Sequence, residues 1–99
     1  MPRVRRAPLM KRPALPRITL YSAPNCGHCR QLKAHLQRLN IPFREFDISR
    51  NNRAQNDFQR LGARGVPVLL VGEQRLDGYD ARRLEKLLRS CGLMGDHKR

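Results

Sequence analysis

The chain has no tryptophan, two tyrosines, three phenylalanines, and only eight acidic residues against 21 lysines and arginines. Each shortage excludes something. No apolar run approaches the ~20 residues of a membrane-spanning helix, so no membrane partner is expected. The first residues contain no continuous apolar stretch, so a secretory signal is not expected. Pro2, Pro8, Pro13 and Pro16, with no serine among them, argue against the amphipathic helix of a mitochondrial presequence. The basic leader has no aromatic side chain on which bases could stack, so nucleic acid is not the expected partner despite a net charge of +13. The expected location is the cytoplasm, where thiols stay reduced.

Ninety-nine residues make one domain. A chain of this length buries about two thirds of the surface its unfolded form exposes. That supports one core and places chemistry on a surface loop or helix end. Charge divides the chain. Residues 1–17 hold six basic residues and no acid, nearly half the excess. We read residues 1–16 as a basic, proline-rich, flexible leader, 17–90 as the folded domain, and 91–99 as a short C-terminal tail, frayed from Leu93. The leader also suggests a docking arm for an anionic partner, although a solvated tail suffices to explain it.

Ile18 to Tyr21 is short, β-branched and aromatic and reads as a strand. Ser22 to Asn25 is a turn. Leu32, Leu36 and Leu39 recur at helical spacing until Asn40 and Pro42 stop them. Phe43 to Ile48 reads as a second strand. Asn51-Asn52 caps a short helix over Arg53 to Leu61, with Phe58 and Leu61 inward. Val68 to Val71 is the most apolar run and reads as a buried central strand. Gly72-Glu73 turns into a hairpin partner at Gln74 to Leu76. Asp80 caps a last helix carrying Leu84, Leu87 and Leu88, with Gly92 just past its end. Strands separated by helical crossovers predict an α/β fold with a mixed sheet and helices on its faces.

Cys26-Gly27-His28-Cys29 is the informative motif. It follows a strand and opens a helix, and residues three apart on a helix are neighbours, so the sulfurs can reach disulfide distance. At a helix start, unpaired N–H groups and the macrodipole favour a thiolate, which can lower a cysteine pKa well below its usual ~8.5. His28 adds a titratable positive charge nearby. Cys26 is then the nucleophile that forms a mixed disulfide, and Cys29 resolves it. One cysteine pair supplies two ligands where structural zinc wants four, and Cys91, His35 and His97 show no pairing rhythm, so no metal is expected. Cys91 reads as a bystander, His35 as a packing or surface residue, and Tyr21 as a strand core residue.

Four segments together resemble the glutaredoxin branch of the thioredoxin-like superfamily over Ile18 to Leu88: LYSAPNCGHC (20–29), FREFDIS (43–49), GVPVLLV (65–71) and LDGYDARRLEKLL (76–88). The resemblance implies a thioredoxin-like fold, a central four-stranded mixed sheet flanked by about three helices. It implies a thiol–disulfide oxidoreductase that reduces protein or glutathione mixed disulfides; a monomer is expected. By resemblance, Pro67 is a cis-proline that presents Val66 backbone groups beside Cys26. Glutathione would be reductant or co-substrate, with Asp80 on its γ-glutamyl amine, Gly78 allowing close backbone approach, and Arg64 on its glycyl carboxylate. The chain departs from the family at Ala23, where lysine is usual, at Gly27-His28 in place of Pro-Tyr, and at Asp77-Gly78 in place of Gly-Gly. These departures leave thioredoxin reductase open as the electron source, as in glutaredoxin-like hydrogen donors of ribonucleotide reductase. The alternative reading is a glutathione-dependent [2Fe–2S] cluster-binding or carrier module, a dimer holding the cluster through Cys26 and glutathione.

Overall fold

Alternation along two strands decides the architecture. In the computed structural model, which describes residues 16–94, Ile18 and Leu20 of strand β1 (Ile18–Ser22) belong to one core and Tyr21 to another. Strand β3 (Val68–Val71) splits the same way, with Leu69 and Val71 in the first core and Val68 in the second. A period of two sends successive side chains to opposite faces, so both strands are buried on both sides.

The sheet order is β2-β1-β3-β4, where β2 is Arg44–Asp47 and β4 is Gln74–Asp77. β1 runs parallel to β2 and antiparallel to β3, and β3 pairs antiparallel with β4, which makes the sheet mixed. Leu20 sits opposite Leu69, and Leu69 opposite Leu76, so one row of leucines crosses three strands.

Two helices cover that row. Leu32 and Leu36 of α1 (Gly27–Arg38) and Leu84 and Leu88 of α3 (Ala81–Ser90) are each one helical turn apart and fully buried in the first core. Ala54 and Phe58 of α2 (Asn52–Arg60) seal the second core against Tyr21 and Val68. The result is a four-stranded sheet with three helices, a thioredoxin-like fold.

Helix ends follow the local chemistry. Asn51 and Asp80 are N-caps whose side chains accept the backbone N–H of Ala54 and Arg83, at 3.0 Å each. α1 stops where Asn40 takes φ 58° and the Ile41 N–H returns to the Leu36 carbonyl. α3 stops in the same way at Gly92, φ 76°, with the Leu93 N–H on the Leu88 carbonyl at 2.8 Å. That closing turn corrects one expectation. Leu93 does not begin a frayed end: Leu93 and Met94 fold back and pack against the first core. The leader (1–15) and residues 95–99 lie outside the described residues.

Candidate redox site

β1 ends at the turn Ala23-Pro24-Asn25, where Asn25 takes φ 61°. The turn delivers Cys26 to the N-cap of α1, in extended conformation (φ −106°, ψ 105°). Its Sγ accepts the Cys29 N–H at 3.1 Å, so the sulfur itself caps the helix. Cys26 is half-buried, while Cys29, one turn on, is only 2% exposed. The two are joined as a disulfide with a Cα–Cα distance of 5.2 Å, within the usual range. One sulfur therefore faces solvent and the other faces the protein.

A second chain segment meets the first at Cys26. Its Sγ lies 3.9 Å from the Val66 carbonyl oxygen, and the Val66–Pro67 peptide bond is cis. The Pro67 carbonyl accepts the Gly78 N–H at 2.8 Å, which draws the turn after β4 to the same place. Gly78 has φ 81°, a left-handed conformation that costs a residue with a Cβ. A cleft of about 480 Å³ lies alongside, lined by Gly62, Arg64, Gly65, Val66, Asp77 and Gly78.

The sequence-expected residues therefore divide. Cys26, Cys29, Val66, Pro67 and Gly78 form one connected group, and Arg64 shares the cleft with Val66 and Gly78. Asp80 is the cap of α3 and is not among the residues lining that cleft. His28 is exposed and lines a different, shallow depression with Gly27 and Arg30. Among the described residues, no group of three or more His, Cys, Asp or Glu could hold a metal ion.

Two sets of side-chain contacts are not among the sequence-based expectations. Arg75 forks onto Asp77 through Nε at 2.6 Å and Nη2 at 2.9 Å, and donates from Nη1 to the Leu61 carbonyl at 2.7 Å. The fork from Arg75 holds the Asp77 carboxyl below its ordinary pKa of 3.8, so an Arg75–Asp77 ion pair stands at the cleft beside Arg64. Residues two apart on one strand face share a side, which was the available signal. The second feature is His35 of α1, 5% exposed, with Nδ1 2.8 Å from the Tyr79 hydroxyl and Nε2 2.8 Å from a Glu85 carboxylate oxygen. It ties the active-site helix to the turn carrying Gly78 and to α3. No local pattern in the sequence links residues 44 and 50 positions apart.

The glutaredoxin family model matches residues 18–76, from the first strand through the hairpin beyond Pro67. The chain belongs to the glutaredoxin family. It is accordingly a thiol–disulfide oxidoreductase, with Cys26 and Cys29 as its redox-active pair. This glutaredoxin is 26% identical over 72 residues to an uncharacterized glutaredoxin-like 8.6 kDa protein of the rubredoxin operon of Clostridium pasteurianum, covering 72% of this chain and 96% of that one. It is 29% identical over 70 residues to the glutaredoxin-like protein NrdH of Lactococcus lactis, covering 71% and 97%. Its fold matches the NrdH-redoxin of Escherichia coli with a TM-score of 0.66 at 24% identity, over 72% of this chain and 93% of that one. No helix among the described residues is long and apolar enough to cross a membrane.

Proposed function

We propose that this glutaredoxin reduces disulfides of protein substrates and glutathione mixed disulfides in the cytoplasm, with Cys26 as nucleophile and Cys29 as resolving thiol. The observation that carries the reading is the asymmetry of the pair: Cys26 half-exposed at the helix N-cap, Cys29 buried one turn behind. In the reduced protein the Cys26 thiolate attacks one sulfur of the substrate disulfide. That S–S bond breaks, and the departing sulfur leaves as a thiolate that takes up a proton. Cys29 then loses its proton and attacks Cys26 Sγ, which releases the second substrate thiol and forms the Cys26–Cys29 disulfide. Two electrons from an external dithiol or from two glutathiones restore the starting state.

Substrate would lie along Val66 and cis-Pro67, pairing with backbone groups beside Cys26. The cleft next to it supports Arg64 and Gly78 as contacts for a peptide-like substrate. Arg75 already balances the Asp77 carboxylate, which leaves Arg64 as the uncompensated charge of the cleft. The departures from the family at Ala23 and Gly27-His28, rather than the charge of the cleft, support a thioredoxin reductase or a protein dithiol as electron source over glutathione. Asp80, serving as cap for α3, remains free to present its second carboxylate oxygen to a ligand amine.

The test is NADPH-coupled reduction of a glutathione mixed disulfide and of a protein disulfide, run once with glutathione plus glutathione reductase and once with thioredoxin reductase. Turnover that disappears in Cys26→Ser and is faster with thioredoxin reductase is expected. Faster turnover with glutathione would overturn the electron-source reading. Turnover that survives Cys26→Ser would overturn the assignment of the nucleophile. Cys29→Ser should lose protein-disulfide reduction while keeping single-thiol exchange with glutathione mixed disulfides.

A further inference from the structure

The face of the sheet opposite α1 is only partly covered. α2 packs Ala54 and Phe58 against Tyr21 and Val68, and its residues Arg53, Ala54 and Asp57 share one cavity lining with Arg17, Thr19 and Arg44. A cavity of about 490 Å³ opens there, within the usual range of ~300–1,000 Å³ for small-molecule sites.

We propose that this cavity binds a phosphorylated small molecule carrying at least two negative charges. Its walls hold Arg17, Arg44 and Arg53. All three are exposed and, among the described residues, none has a carboxylate within 4 Å; the same holds for Arg30, Arg38, Arg64, Arg82 and Arg83, so what marks the site is the convergence of three guanidiniums on one cavity. Guanidinium forks match phosphate oxygens in geometry and charge.

Two further donors point to an anion. Tyr21 lines the cavity, is 7% exposed, and packs its ring 6.0 Å from the rings of Phe46 and Phe58, yet its hydroxyl has no hydrogen-bond partner among the described residues. Burial first, and the neighbouring Asp57 charge second, push its pKa above the ordinary value of 10.0, so the hydroxyl keeps its proton and can donate. The N-terminus of α2 also faces the opening through Asn51, with no acidic residue in its first turn. Backbone N–H groups and the helix dipole favour a negative ligand there. The one acid in the wall, Asp57, is 3.7 Å from Arg60, so the cavity stays net positive.

A chain of net charge +13 attracts any polyanion, so the test must separate a site from a general field. Calorimetric titration of the full chain with inorganic pyrophosphate and with ADP, at constant ionic strength, gives the affinities. Arg44→Ala combined with Arg53→Ala should weaken both by about tenfold or more, and Tyr21→Phe by about threefold, as for loss of one or two charge-assisted hydrogen bonds. Arg82→Ala combined with Arg83→Ala, on exposed positions of α3, should leave them within about twofold. Tighter binding of ADP would show that an organic moiety is held as well as phosphate; equal affinities would show a site for phosphate alone. Equal weakening by the α3 pair and the cavity pair, or no measurable heat with either probe, overturns the proposal.

Discussion

Replacing His35 with leucine tests whether a buried histidine helps hold this small domain together. For a neutral imidazole, Nε2–H donates to Glu85 and Nδ1 accepts from Tyr79, both at 2.8 Å. The hydroxyl bond contributes about 1 kcal/mol net, and the carboxylate bond about 1.5–3 kcal/mol if fully buried. Glu85 is 37% exposed and has Arg89 at 3.9 Å, so it rehydrates when the histidine is lost. Its share then falls to about 1 kcal/mol. Leucine fills a similar volume and regains part of the loss through apolar burial. The net expected cost is about 1–2 kcal/mol, or a Tm lower by about 5–15 °C for a domain this size. Urea unfolding of the reduced protein, so that the disulfide does not contribute, gives the value directly. His35→Gln, which can still donate and accept, should recover at least half of the loss. A double-mutant cycle with Tyr79→Phe should show a coupling of about 0.5 kcal/mol or more. A His35→Leu protein within about 0.5 kcal/mol of the wild type would refute the reasoning, as would a glutamine variant no better than leucine.

Other outcomes follow from the same structure. Asp80→Asn keeps a good N-cap and should leave Tm unchanged, while Asp80→Ala should cost about 1 kcal/mol in thermal unfolding. If Asp80 also meets a ligand amine, both variants raise KM for a glutathione mixed disulfide; a KM change in the alanine variant alone would reduce its role to capping. The Asp77 carboxyl sits below its unfolded value because Arg75 holds it, so the folded state binds fewer protons there than the unfolded chain. The stability this pair contributes is therefore full above about pH 5 and lost as pH falls through the folded value, below about pH 4. Asp77 is 48% exposed, so the amount is below about 1 kcal/mol. The gap in urea midpoint between wild type and Asp77→Asn should narrow as pH falls from 7 into the acid range; a gap that stays constant or widens would contradict the sign.

The sequence determined more of this protein than its length suggests, because its strongest signals are local. Cys26-x-x-Cys29 after a strand, the leucine spacing of α1 and α3, the Asn51 and Asp80 caps, and the apolar run at Val68 each depend on neighbours within a turn or a strand. Those interactions repeat wherever the local pattern repeats, so the order of elements and the redox pair were legible. Residue contacts made across the chain were not. The meeting of Cys26 with Val66 was expected only through the family resemblance, and those of Pro67 with Gly78 and of His35 with Tyr79 and Glu85 depend on how the sheet brings distant segments together. His28 shows the limit of reading by proximity. It stands two residues from Cys26 in the chain, yet helix geometry turns it onto an exposed surface lined by Gly27 and Arg30. Asp77 shows the reverse: Arg75, two residues away on the same strand face, keeps it charged by a local contact, and the fold sets the pair beside Arg64. The tail differs for the same reason: a frayed end is expected from Leu93, and only the turn at Gly92 brings Leu93 and Met94 back onto a core whose apolar surface is already assembled. Chain-local chemistry decided which groups react, and the fold decided what surrounds them.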